Sequence, residues 1–210
     1  MFIKQPDICM AAVVAAVLFS QFFMACLRLY WVAACALIAV AGLVGAYTYL
    51  PHVKVRVDHF LDPAAGDSYQ VDRSIEAFTN GGLWGRGPGE GTVKDVLPDA
   101  HADFVFAVAG EEFGVVVCLA IVALFAFIVL RGFSRMSQEG SLFVLLAATG
   151  LLVQFGLQAA INMASSLHLI PTKGMTLPFL SYGGSSLLAL GLGMGMLLAL
   201  TRRRLGGSAL

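Results

Sequence analysis

Two stretches of this chain, Ile8–Leu27 and Trp31–Leu50, run without a single charged side chain. About 20 consecutive apolar residues is the length that carries a helix across the hydrocarbon core of a bilayer. A helix is suited to that solvent because it satisfies its own backbone hydrogen bonds. Three further stretches share the pattern. Phe104–Leu130 carries Glu111 and Glu112 near its start, then the uncharged run Phe113–Leu130; Ser141–Ala164 and Gly183–Leu200 complete the set. Hydrophobic residues make up 59% of the 210 and charged residues 12%, against about 45–50% and about 25% in ordinary soluble domains. Mean hydropathy is +0.84. A soluble fold would have to bury all of these helices with almost no polar face among them. The expected fold is therefore an all-α polytopic membrane protein, a single membrane domain over 1–210. It has about five transmembrane helices, at about 8–27, 31–50, 104–130, 141–164 and 183–200.

Charge excludes one class of partner. The formal net charge is +0, so no basic field speaks for nucleic acid. Cys9, Cys26, Cys35 and Cys118 lie in or beside apolar segments without CxxC spacing, and read as small buried apolar residues. The first apolar run has the size of a span and no small-residue cleavage site, so no cleavable signal peptide is expected. Arg28, Arg131, Arg135 and Arg202-Arg203-Arg204 sit in very short connections or at the C-terminal end. The other side would hold Lys4, Lys173 and Lys54, Arg56, Arg73, Arg86 and Lys94 of one long loop that is also rich in acids, which leans toward a cytoplasmic C-terminus.

That loop, 51–103, is where chemistry is expected to gather. Connections longer than about 12–15 residues are usually functional or disordered. This one carries Phe60, Tyr69, Ile75, Phe78, Trp84 and Leu97, which is not the composition of a disordered spacer. Asp72–Phe78 predicts a short amphipathic helix resting on the membrane surface. Gly81–Gly91 then holds 6 glycines, in a spacing that fits neither a P-loop nor a dinucleotide fingerprint. It reads either as a flexible hairpin or as backbone that approaches a ligand closely.

The return into the membrane is Leu97-Pro98-Asp99-Ala100-His101-Ala102-Asp103-Phe104. Proline suits a helix start, and a helix beginning there would put Asp99 and Asp103 one turn apart on one face. An acid near a helix N-terminus has an electrostatic reason to be there, which explains Asp99 better than Asp103. Asp103 stands at the mouth of a span, where a carboxylate is costly unless solvated, paired or used. Glu111 and Glu112 raise the question again, about 12 Å further along such a helix. They would point about 80° and about 180° round the axis from Asp103, so at least one needs a different partner or a water-filled cavity. Gln154, Gln158 and Asn162 recur every fourth residue, either as interhelical hydrogen bonds or as the lining of a polar cleft. Gly191 and Gly195 have the spacing of a close helix contact. His52, His59, His101 and His168 have no zinc-ligand spacing.

Seven ordered motifs carry a resemblance over essentially the whole chain. They are Gln5-Pro6-Asp7, Tyr69-Gln70, Gly81-Gly82-Leu83-Trp84-Gly85-Arg86-Gly87, Leu97–Phe104, Glu111-Glu112-Phe113-Gly114, Pro171–Phe179 and Ser181-Tyr182-Gly183-Gly184-Ser185-Ser186. Together they resemble the SEDS family of peptidoglycan polymerases, and the division members more than the elongation members. Two departures stand out: Asp7-Ile8-Cys9-Met10 where the family usually reads Asp-Leu-Gly-Thr, and Ala102 where it usually has threonine. At about 20 residues per span, the chain supplies about five spans where members of the family have about ten. It corresponds to the C-terminal half.

The resemblance implies a multi-pass protein of the bacterial inner membrane at the division septum, with the loop extracytoplasmic and the C-terminus cytoplasmic. It implies glycosyl transfer from lipid II, with undecaprenyl pyrophosphate leaving as a β-1,4 glycan link forms. The family's essential loop aspartate falls on Asp103, as general base on the acceptor hydroxyl or as holder of a divalent cation, magnesium or manganese, at the pyrophosphate. Lys94, Arg86, Lys173 and Arg73 are the cations expected at the substrate, with surface solvation or lipid-headgroup contact as the plainer reading of each. His101, Glu111, Glu112, Asn162 and Ser185 complete the expected substrate-binding set. The implied partners are a class B penicillin-binding protein, other division proteins and membrane lipids. A lipid II flippase, a non-catalytic division scaffold and an elongation-type polymerase are the competing readings.

Overall fold

The computed structural model describes residues 8–25, 29–49, 51–61, 69–97, 100–136, 140–171 and 174–202; among these every regular element is helical. The apolar runs form α1 (Ile8–Met24), α2 (Leu29–Tyr49), α5 (Val105–Met136), α6 (Leu142–Ser166) and α7 (Gly184–Thr201), while α3 (Pro51–Leu61) and α4 (Tyr69–Gly81) lie between α2 and α5. The helices α5, α6 and α7 are long and apolar enough to cross a membrane; within α1 and α2 the apolar stretches are the shorter Ala12–Met24 and Ala36–Tyr49. The fold is that of a polytopic membrane protein.

Helix α6 is the centre, with α1, α5 and α7 packed around it. Small residues set the crossings. A Cβ on Gly150 would collide with Gln21 of α1, and one on Gly132 would collide with Leu152. Phe125 and Phe155 meet with ring centroids 5.5 Å apart. Met136, Ala148, Leu152 and Leu197 close the core at one end of the bundle. A Cβ on Gly191 or Gly195 would meet nothing among the described residues; α7 packs on α6 through Leu197, in one cluster with Ala148 and Leu152, and Gly193 lies beside Leu151. Outward faces are apolar, as lipid contact requires: Leu119, Phe127 and Leu130 on α5 and Leu188 and Leu192 on α7 are all exposed.

The long connection is structured. Helix α3 occupies a stretch read from sequence as loop, and α4 runs from Tyr69 to Gly81, beyond the short helix expected at Asp72–Phe78. It packs along α5 and against the end of α6. Ser74 Oγ, itself buried, donates to the Ser166 carbonyl at 2.6 Å. Ala77, Val93, Leu97, Ala100, Phe104 and Ala107 form one small core between α4, the 3-10 turn Val93–Asp95 and the start of α5. Asp103 does not lie on the helix expected to start near Pro98. Residues 100–103 form a turn and α5 begins at Val105, so Asp103 leads into the helix; Pro98 and Asp99 lie outside the described residues.

Candidate functional site

The site is organised by a break in α5. Gly114 has φ 79° and ψ 178°, far from helical values. In an unbroken helix the Val115 and Val116 amides would donate to the Glu111 and Glu112 carbonyls. Here the glycine-rich hairpin takes all four groups. Val115 N–H donates to the Gly82 carbonyl (3.0 Å) and Val116 N–H to that of Leu83 (3.4 Å). In return Arg86 N–H donates to the Glu111 carbonyl and Gly87 N–H to the Glu112 carbonyl, both at 3.0 Å. The two amides and two carbonyls that the break frees are thus paired, as buried polar groups require. The glycines make this contact possible: a Cβ on Gly81 would strike the Gly110 carbonyl, and one on Gly85 would strike that of Glu112. The segment is therefore a docked backbone insert, not a free hairpin.

Both glutamates turn toward it. Glu111 is fully buried. Its Oε1 accepts from Thr92 N–H at 3.0 Å, its Oε2 from Val93 N–H at 3.1 Å, and Arg86 Nη1 stands 3.7 Å away. The carboxylate thus caps the 3-10 turn, whose own Thr92 side chain makes no cap. Lys94 Nζ donates to Glu112 Oε1 at 2.7 Å and to the Gly89 carbonyl at 2.9 Å. The hydrogen bond to Glu112 holds the Lys94 ammonium above its usual pKa. Glu111 and Glu112, of which sequence geometry requires a separate partner for at least one, are thus both partnered by the hairpin and the 3-10 turn, through Arg86, Lys94 and the Thr92 and Val93 amides.

Asp103 sits in a second arrangement at the same end of the bundle. Asn162, buried on α6, donates through Nδ2 to the Asp103 carbonyl at 2.8 Å and also to the Met175 carbonyl. Gln158, one turn earlier, donates to the Thr176 carbonyl at 3.1 Å. These two members of the Gln/Asn stripe tie α6 to the 174–177 segment rather than to another helix, while Gln154 is exposed. Gly174 lets that segment lie against Asp103, since a Cβ there would come 2.7 Å from Asp103 Oδ2. On the other side of the turn the His101 carbonyl accepts from Tyr182 N–H at 2.9 Å. An open, largely apolar cleft of about 630 Å³ is lined by His101, Val105, Leu180, Tyr182, Gly183 and Leu187, among others.

The expected site residues therefore divide. Asp103 and His101 share the turn; Asn162 holds its backbone. Ser185 is exposed in the first turn of α7, next to the cleft-lining Gly184. Lys94, Arg86, Glu111 and Glu112 cluster where the hairpin docks on α5, whereas Arg73 on α4 pairs with Glu76 and lies 5.2 Å from the Tyr69 ring centroid. Lys173 lies outside the described residues. Sequence reasoning did not single out Gln158 from its stripe, nor Thr92 and Gly114; the signal for Gly114 was a glycine beside two acids that lacked a partner. Among the described residues no group of three His, Cys, Asp or Glu side chains converges as a metal cage.

Apolar helices topped by an ordered polar shoulder define a polytopic membrane protein whose polar groups gather at one end of the bundle. Its family follows from comparison. A family model described as "Cell cycle protein", covering FtsW, RodA and SpoVE, matches residues 1–205, and the chain belongs to this family, the SEDS proteins. It is 46% identical over 202 residues to a probable peptidoglycan glycosyltransferase FtsW of Caulobacter vibrioides, covering 96% of this chain and 52% of that protein. A protein of the same name from Halothiobacillus neapolitanus is 37% identical, with 94% and 49% covered. A solved structure described as "Structural coordination of polymerization and crosslinking by a peptidoglycan synthase complex" matches with TM-score 0.61 and 28% identity, over 83% of this chain and 49% of that one. The chain thus spans about half the length of the relatives it matches.

Proposed function

We propose that this chain forms the catalytic half of a peptidoglycan glycosyltransferase that polymerises lipid II at the division septum, with Asp103 as its reacting carboxylate. The observation that supports this reading is the Asp103 turn. Its backbone is fixed by Asn162, its carboxylate lies against Gly174, and an apolar cleft able to take a lipid chain opens beside His101. In the reaction, the acceptor sugar hydroxyl attacks the anomeric carbon of the donor. The bond from that carbon to undecaprenyl pyrophosphate breaks, and the hydroxyl proton passes to the Asp103 carboxylate. The pyrophosphate takes the bonding electrons and needs positive charge nearby.

The donor set suits a magnesium- or manganese-type ion only in part: such ions are commonly held by one or two carboxylates with substrate phosphates completing the shell. In that role, the alternative to taking the proton, Asp103 would supply the carboxylate, and the ion would neutralise charge on the leaving group. Lys94 and Arg86 serve by holding the hairpin against Glu112 and Glu111. Partnership with a class B penicillin-binding protein, and with other division proteins, belongs to the same proposal. It draws support from the synthase-complex relative.

The flippase reading rested on glutamates within a span and on the Gln/Asn stripe. Both glutamates, Gln158 and Asn162 are engaged with chain segments, which favours the polymerase. The test is polymerisation of labelled lipid II by the full-length protein. Asp103→Asn should abolish glycan chains while leaving the protein folded in detergent. Polymer made at the normal rate by that variant would remove Asp103 from the chemistry; lipid transfer between leaflets without polymer would favour the flippase.

A further inference from the structure

We infer that Leu83 and Trp84, at the tip of the glycine-rich hairpin, form an interfacial anchor that seats the hairpin at the headgroup–acyl boundary of the bilayer. Both side chains point away from the protein: Trp84 is 83% and Leu83 67% exposed. They flank the α5 break, since the Leu83 carbonyl takes the Val116 amide and a Cβ on Gly114 would strike that carbonyl. The position of the break relative to a bilayer follows from length. From Val115 to Met136 the unbroken part of α5 holds roughly 22 residues, about 33 Å at 1.5 Å each, close to a hydrocarbon core of about 30 Å. Arg131 and Arg135 lie at its far end, where long cationic side chains reach the opposite headgroups. Gly114, and the tip docked on it, then fall at the other boundary.

That boundary favours a tryptophan, whose ring is apolar and whose N–H is polar. Exposed Phe113, Val116 and Val117 continue the apolar surface from the tip onto α5, toward the outward Leu119 and Leu124. The charged residues of the hairpin all follow the tip, from Arg86 onward, and Arg86, Lys94 and their glutamates are paired. A lipid boundary is thus the occupant that matches both the register of α5 and the chemistry of the tip. Four backbone hydrogen bonds fix the hairpin to α5, so the depth of Trp84 is set by the helix.

Tryptophan fluorescence tests this directly, because the chain has 2 tryptophans, Trp31 and Trp84. Trp31→Phe, reconstituted in phosphatidylcholine vesicles, isolates Trp84. Its emission should be blue-shifted from that of the denatured protein, and quenched more by lipids brominated near the headgroup than by those brominated deep in the chain. Should Trp31→Phe fail to fold, the difference between the parent chain and Trp84→Phe gives the same signal. Quenching by aqueous iodide with none by brominated lipid would overturn the inference, and so would protection from both quenchers, which would mean that protein covers the tip.

Discussion

Removing the Glu111 carboxylate should open the glycine-rich hairpin without unfolding the helices that carry it. Glu111→Ala leaves the Thr92 and Val93 amides without their acceptor, bonds of 3.0 and 3.1 Å in the intact protein. A buried donor left unsatisfied costs about 1–3 kcal/mol. Thr92 is exposed and water can partly replace the lost bond, so the pair together contributes about 2–4 kcal/mol. The Arg86 contact is long, at 3.7 Å, with its side chain 40% exposed, and adds under about 1 kcal/mol. The hairpin's local opening should therefore become about 30- to 3,000-fold more frequent, at about 1.4 kcal/mol per factor of ten. Hydrogen exchange reads this at single amides: Thr92 and Val93 should lose protection, together with Arg86 and Gly87, whose amides bond α5. Glu111→Gln keeps a carbonyl oxygen and should show a smaller loss, about tenfold. Unchanged protection at these four amides in Glu111→Ala would refute the capping role, as would equal loss throughout α6.

Gly114→Ala places a Cβ at φ 79° and against the Leu83 carbonyl. It should cost about 1–3 kcal/mol for the backbone alone, expel the hairpin, and speed proteolytic nicking at 82–87. For Lys94, the hydrogen bond to Glu112 raises the ammonium pKa above 10.5. A raised pKa stabilises below the unfolded value and is lost only as pH climbs through the higher folded one. The lysine's contribution to hairpin protection should consequently be full and constant between about pH 6 and 9 and be lost in strong alkali; Lys94→Met should lower protection across the neutral range and abolish that alkaline loss, measured by proteolysis across the pH series.

How far the sequence could be read depended on whether a signal was local. The apolar helices were legible because long runs with few charges report them, and α5, α6 and α7 are long and apolar enough to cross a membrane. Helix α3 was not, because His52, Lys54, Arg56 and Asp58 alternate with valines and mask any helical period. The entry to α5 was misplaced for a related reason: Pro98 is a permissible helix start, yet Ala100 and Phe104 instead bury themselves against Val93 and Ala77 in a turn. The break at Gly114 was invisible to hydropathy, which runs on through it. Its one trace was the pair of glutamates lacking partners, whose answer lay 18–25 residues upstream, in the hairpin and the 3-10 turn after it, beyond the reach of any helix-face argument.

The exchange of hydrogen bonds across Gly114 bears on which changes the hairpin can absorb. Its grip on α5 uses main-chain atoms of Gly82, Leu83, Arg86 and Gly87, in two pairs separated by Trp84 and Gly85. Side chains at the tip play no part in that grip, so Leu83 and Trp84 are free to vary chemically without disturbing the helix. Length has no such freedom. One residue inserted or deleted between Leu83 and Arg86 would slide one pair out of register with the other and leave amides and carbonyls of a membrane helix facing nothing. The hairpin thus behaves as a spacer of fixed count, and grafts from related proteins should be chosen by residue number before sequence.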